Sequence, residues 1–217
     1  MKNHVATNGS GTELEPTRFL QCKAPRNCDA RTRTKSALII LNSPILFEHL
    51  EQLYNHASFC ICADGGANRL HDLLTSQYES SDWMKALRSL PPDLIHGDLD
   101  SLHDTVRQRY EQIGVEVSQD GDQYSTDFGK CIKKVIERLP DVRDILVLGS
   151  IGGRVDQGIG LLHELYREQV HRHPDVRFWL FSEASVSTSN HVVAERITVT
   201  TNKEVLFTVE RARALDD

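Results

Sequence analysis

No run of apolar residues in this sequence approaches the about 20 needed to cross a bilayer as a helix. The first residues also lack the charged-then-apolar order of a secretory signal. Both absences favour a soluble, cytoplasmic protein with no membrane partner. Basic clusters are missing too: 25 Lys and Arg stand against 31 Asp and Glu, for a net charge of −6. That balance argues against a nucleic-acid partner. Cysteine is sparse. The five, Cys22, Cys28, Cys60, Cys62 and Cys131, include no Cys-x-x-Cys, so reduced, mostly buried thiols are expected. His56, His71, His96, His103 and His163 show no metal-ligand spacing and read as surface or hydrogen-bonded polar residues.

The 217 residues suffice for one moderate domain, or one domain with a small second one. Residues 1–36 have no sustained apolar periodicity and read as a flexible leader. Arg26, Arg31 and Arg33 hint at a transit peptide, but Glu13, Glu15 and Asp29 interrupt the acid-poor composition such peptides need. From Ala37 onward short β-type runs alternate with helix-period segments, the pattern of a parallel sheet covered by helices on both faces. Strands are expected at 37–41, 58–63, 94–97, 114–118 and 144–148. Helical stripes follow at Leu46, Leu50 and Leu53, at Leu102, Val106 and Tyr110, and at Phe128, Cys131, Ile132 and Val135. A last stripe, Ile159, Leu162, Leu165 and Tyr166, is expected to face inward. The polar stretch 75–92 reads as a surface excursion.

The chemistry concentrates where strands end. Asp98 and Asp100 follow an apolar run and a glycine, and alternate positions on an extended backbone project the same way. Two such carboxylates suit Mg²⁺, which binds through one or two carboxylates plus substrate phosphates. The ordinary alternative is a turn, with Ser101 and Asp104 starting a helix as a Ser-x-x-Asp cap. Gly65 and Gly66, after Asp64, let backbone N–H groups approach a phosphate, or make a tight turn. Thr126 or Ser125 caps the helix that Asp127 opens, and Lys130 lies one turn on, in reach of a phosphate. After the strand at 144–148 come three glycines, Arg154 and Asp156, where open α/β sheets place their ligands. Asp64, Asp98, Asp100, Asp127 and Asp156 therefore share one sheet edge and one cleft.

These stretches resemble the thiamine pyrophosphokinase family. The resemblance rests on Ala63-Asp64-Gly65-Gly66-Ala67-Asn68-Arg69-Leu70, Gly97-Asp98-Leu99-Asp100-Ser101, Asp122-Gln123-Tyr124-Ser125-Thr126-Asp127-Phe128 and Gly153-Arg154-Val155-Asp156-Gln157, in that order. It implies a Rossmann-like α/β domain that binds ATP, a following β-sandwich domain, and a homodimer with thiamine sites between subunits. The implied reaction moves pyrophosphate from ATP to the thiamine hydroxyl with Mg²⁺. The resemblance makes Asp98, Asp100 and Asp127 the metal carboxylates. Gln123 and Thr126 contact the nucleotide; Asp64, Gly65 and Gly66 line the phosphate cleft; Arg154, Asp156 and Gln157 face the substrates. Asp100 or Asp127 accepts the hydroxyl proton.

One departure stands out. A Ser187-Thr188-Ser189-Asn190 element, which the family carries near its C-terminus, follows directly on the segment ending at Ser185. Ser187 and Asn190 therefore enter as substrate contacts, while residues 182–217 read as the remnant of a largely deleted β-sandwich. The α/β domain itself spans 37–181. An impaired enzyme is then expected. The other readings are an inactive nucleotide-binding relative and a metal-dependent nucleotide-sugar transferase using Asp98 and Asp100.

Overall fold

A short strand β1 (Thr12–Leu14) and a 3₁₀ turn at Pro16–Leu20 precede the main sheet. Six parallel strands then form its body: β2 (Ser36–Ile40), β3 (Phe59–Ala63), β4 (Leu94–Gly97), β5 (Glu116–Gln119), β6 (Asp144–Leu148) and β7 (Arg177–Phe181). β8 (Val186–Ser189) adds antiparallel to β7; β9 (Ile197–Val199) pairs with β1, and β10 (Val205–Phe207) with β8. The structure, a computed structural model, describes residues 12–14, 16–21, 35–77, 82–151, 155–182, 186–189, 197–199 and 205–207.

The main sheet has the order β10-β8-β7-β6-β2-β3-β4-β5. From β2 the chain steps outward to β5, then returns to lay β6 on the other side of β2. The reversal between β2 and β6 is the switch point at which open α/β sheets form a ligand crevice. β2 is apolar from Ala37 to Ile40 because both of its faces are covered: Ala37 and Ile39 face one core, Leu38 and Ile40 the other. The second of these cores is closed by α1 (Phe47–His56), α2 (Gly66–Ser76), α3 (Trp83–Ser89) and α4 (Asp104–Gln112). The first is closed by α5 (Asp127–Arg138) and α6 (Val155–Tyr166), which continues into a π-helical turn at Arg167–Arg172.

Four sequence expectations need correction. Residues 16–21 do not behave as an unstructured leader. Phe19 is buried against Trp179 and His56, and Arg18 donates to Asp144 at 3.1 Å. The stretch 75–92 is not merely a surface excursion, since α3 puts Ala86 and Leu87 into the core, with Asp82 capping its first turn. α4 begins at Asp104, not at Ser101, whose N–H is taken by Asp64; Asn68 of α2 instead accepts from the His103 N–H. Finally, Ile159 is 64% exposed and Leu162 and Tyr166 each 43%. The inner stripe of α6 is Leu161, Glu164 and Leu165, running on to Glu168, with the two glutamates paired to Arg167 and Arg172. Ion pairing lets carboxylates occupy positions that an apolar periodicity would assign to isoleucine and tyrosine.

Of the strands beyond residue 182, β9 forms a separate two-stranded sheet with β1. Among the described residues, β8 and β10 extend the main sheet at its β7 side, and no separate sandwich forms.

Candidate active site

Two neighbouring strand ends and one helix start each deliver a carboxylate. Asp64 follows β3 in a left-handed conformation, φ 42°, which aspartate tolerates better than most residues. Its N–H donates to the His96 carbonyl of β4 at 3.0 Å, while its Oδ2 accepts the Ser101 N–H at 3.0 Å. Asp98 lies just past Gly97, at the end of β4. Asp127 opens α5 behind Thr126, whose hydroxyl caps the helix by accepting the Gly129 N–H at 3.1 Å. The Asp98 N–H donates to Asp127 Oδ1 at 3.2 Å and joins the second loop to the third.

Ligand oxygens of Asp64, Asp98 and Asp127 thus lie within 4.8 Å of one another. Gly97 is what permits this. A Cβ there would stand 2.9 Å from both Asp127 Oδ1 and the Asp64 Cβ. Lys130, one turn along α5, is buried and sends its ammonium to Asp127 Oδ1 at 3.2 Å and Asp98 Oδ2 at 3.5 Å. Burial alone would lower the Lys130 pKa, but the hydrogen bond and charge of Asp127, joined by Asp98, outweigh it and leave it raised.

Asp64 differs from its partners. It is buried, and its Oδ1 has no hydrogen-bond partner among the described residues. Desolvation raises its pKa above the ordinary 3.8, and the charges of Asp127 and Asp100 add to the rise; the Ser101 N–H opposes without cancelling it. A buried carboxylate with one oxygen lacking a donor, clustered with two further carboxylates, is the arrangement a hard divalent cation satisfies. The donor set fits Mg²⁺.

Beside this cluster, at the switch point, is a cavity of about 290 Å³. Loop residues Leu41, Asn42 and Ser43 after β2 and Gly149 and Ser150 after β6 line it, with Thr126, Asp127 and Phe128 of α5 and Gln157 of α6. A second cavity of about 250 Å³ lies between α5 and the π-helical turn, bordered by Asp120, Asp122, Ser125 and Lys130.

The structure therefore brings Asp64, Asp98, Asp127 and Lys130 into one cluster, and Thr126 and Gln157 onto the adjoining cavity. Asp100 is exposed just outside, its Oδ1 accepting from the Ser101 hydroxyl at 2.9 Å and its N–H donating to Asp98 at 3.3 Å. Gln123 is exposed in a β5–α5 loop shaped by Asp122, which accepts from Tyr124 N–H and from the Ser125 hydroxyl. Asp156 is exposed in the first turn of α6. Gly65 and Gly66 start α2 hard against the end of β2: a Cβ on Gly66 would collide with the Ile40 carbonyl, and one on Gly65 with the Asn42 side chain. Ser187 pairs opposite Leu180 in β8. Arg154 and Asn190 lie outside the described residues.

A family model described as the catalytic domain of thiamin pyrophosphokinase matches residues 50–178. The chain belongs to the thiamin pyrophosphokinase family. Thiamine pyrophosphokinase 1 of Arabidopsis thaliana is 36% identical over 162 residues, which are 72% of this chain and 58% of that protein. Thiamine pyrophosphokinase 2 of Oryza sativa subsp. japonica is 30% identical over 240 positions, covering 85% of this chain and 88% of that protein. Thiamin pyrophosphokinase from Candida albicans shares the fold with a TM-score of 0.63 at 23% identity, over 84% of this chain and 66% of that one. The chain thus spans less than two thirds of the Arabidopsis relative and of the Candida structure it matches.

Sequence reasoning placed Asp64 in the phosphate cleft rather than with the cation carboxylates, and it missed Asn42 and Ser43. For Asn42 and Ser43 the signal was positional. They follow the strand at which a family-type sheet reverses direction, and that loop borders the crevice whatever its residues. For Asp64 nothing in the sequence distinguished a capped carboxylate from one with a bare oxygen.

Proposed function

We propose that this chain is built to transfer pyrophosphate from ATP to the hydroxyl of thiamine, giving thiamine diphosphate and AMP with Mg²⁺ as the metal. The observation that carries this reading is the meeting of Asp64, Asp98 and Asp127, one of which keeps an unpartnered buried oxygen, beside a cavity at the sheet's reversal. Asp98 and Asp127, with Asp64, would hold the ion, and Asp100 at the mouth would meet the ion–phosphate complex. The metal would neutralise charge developing on the phosphate oxygens. Catalysis in such a site is positioning and electrostatics.

The cavity suits the nucleoside, with Asn42, Ser43, Ser150 and Gln157 as polar contacts and Leu41, Phe128 and Leu161 as apolar walls. Gln123 and Thr126 border the path to the carboxylates, and Gly65 and Gly66 hold the Asp64 turn in place. Arg154, Asp156 and Gln157 are assigned to the substrates, with Ser187 and Asn190 on the thiamine side. Asp100 or Asp127 takes the hydroxyl proton. The buried free thiols of Cys60, Cys62 and Cys131 accord with a cytoplasmic setting.

We further infer that an internal segment of the second domain is missing. An alignment of 240 positions that takes in only 85% of a 217-residue chain leaves several tens of positions with no residue of this chain opposite them. A homodimer with thiamine bound between subunits would rest on that segment, so this form should bind Mg-ATP while turning over slowly. Thermal melts with Mg-ATP and with a Mg-UDP-sugar separate a kinase from a nucleotide-sugar transferase. Release of AMP and formation of thiamine diphosphate, measured on this chain and on a version with the segment restored, test the rest. Absence of both products from the restored form would leave a nucleotide-binding relative without catalysis.

A further inference from the structure

We propose that Lys130 is a built-in counter-ion: its ammonium occupies the carboxylate cluster while no metal is bound and withdraws when a divalent cation enters. The proposal rests on the cation-site reading above and adds a competition within it. Three carboxylates whose oxygens lie within 4.8 Å repel one another strongly unless a positive charge is among them. Lys130 supplies that charge from α5, and it touches carboxylates belonging to two different elements, Asp98 after β4 and Asp127 on its own helix. It leaves one oxygen unserved. Asp64 Oδ1 remains buried without a partner, because the lysine is held by the other two carboxylates.

Lysine suits such a handover. Its head is a compact point charge on four rotatable carbons, free to change partners without moving the helix. Lys130 also borders the second cavity, where Asp120, Asp122 and Ser125 offer oxygens. The displaced ammonium therefore has both room and acceptors. In the ion-free protein the lysine keeps the three loops assembled; in the loaded protein it is released beside the incoming phosphates.

The test uses Mn²⁺ alone, without nucleotide, followed by the paramagnetic resonance of the free ion, on the wild type and on Lys130→Met and Lys130→Gln. Removing the competing charge should tighten Mn²⁺ binding by at least about tenfold. In EDTA both variants should melt below the wild type, and Mn²⁺ should raise their melting temperatures by more than it raises the wild type's. In the wild type, the ¹⁵N-detected ammonium signal of Lys130 should be present in EDTA and shift on adding Mg²⁺. No Mn²⁺ binding by the wild type would overturn the cation site, and the proposal with it. Binding by the wild type with equal or weaker affinity in both variants would overturn the counter-ion role alone. If both variants fail to fold with or without Mn²⁺, the wild-type ammonium signal decides, and a signal unmoved by Mg²⁺ refutes the handover.

Discussion

Asp64→Asn should make the metal-free protein more stable while removing its response to Mg²⁺. The substitution preserves shape, and an Asn oxygen can still accept the Ser101 N–H that Asp64 Oδ2 takes at 3.0 Å. What disappears is a buried negative charge facing Asp98 and Asp127, whose oxygens lie within 4.8 Å. At an effective dielectric near 20, one like-charge pair at that range costs about 3 kcal/mol. Lys130 offsets part of this, although it contacts only the other two carboxylates. A net gain of about 1–3 kcal/mol at pH 7 is expected, read as a higher urea midpoint in EDTA. The pH dependence fixes the sign. Because burial raises the folded-state pKa of Asp64 above its ordinary 3.8, the native state binds its proton before the unfolded chain does. The penalty is therefore full above the folded pKa, and it vanishes as pH falls to the unfolded value. Wild type and variant should converge near pH 4. Saturating Mg²⁺ should reverse their order, since an ion at about 1,000 times its Kd adds about 4.1 kcal/mol to the protein that binds it. A variant less stable than the wild type in EDTA at pH 7, or one retaining the Mg²⁺ shift, would refute the assignment of Asp64.

Gly97→Ala inserts a Cβ 2.9 Å from Asp127 Oδ1 and the Asp64 Cβ. It should destabilise by about 1–3 kcal/mol and abolish Mn²⁺ binding, measured by denaturant melts and ion titration. Asp98→Asn and Asp127→Asn should lose Mn²⁺ binding without nucleotide. Asp100→Asn should keep it, yet lower AMP release in the restored form, because Asp100 lies outside the cluster; near-normal turnover in Asp100→Asn would remove it from the metal–phosphate complex. Phe19→Ala should cost about 3 kcal/mol in urea melts. A loss near zero would mean that the contact of Phe19 with Trp179 adds nothing in solution.

The parallel sheet was legible because its central strands are buried on both faces, so Leu38-Ile39-Ile40 and Ile145-Leu146-Val147-Leu148 read as unbroken apolar runs. α5 was legible for a different reason: Phe128, Cys131, Ile132 and Val135 form a stripe, behind a threonine cap. α3 was hidden because it is only seven residues long, with Ala86 and Leu87 buried and Trp83 half-buried against the core. α6 misled because its sequence offers apolar residues on more than one face. Glu164 and Glu168 sit on the inward face with partners, Arg167 and Arg172, that both lie in the π-helical turn after α6.

In the candidate site, what the sequence could show was position, and what it could not show was satisfaction. Asp64, Asp98 and Asp127 all follow strands or open helices, so their arrival at one sheet edge follows from topology. Whether each carboxylate then has a donor depends on contacts made across loops far apart in the chain. Asp64 to Ser101 spans 37 residues, and Asp98 to Asp127 spans 29. Those contacts distinguish the three. Asp98 and Asp127 already share Lys130, while Asp64 holds a buried oxygen that no described donor reaches. An ion entering the cluster therefore gains most from the residue whose sequence context, an Asp before two glycines, looked most like an ordinary turn. The strain of a left-handed aspartate and the cost of its bare oxygen are both borne by the folded core beneath, where β2, β3 and β4 are buried on each face.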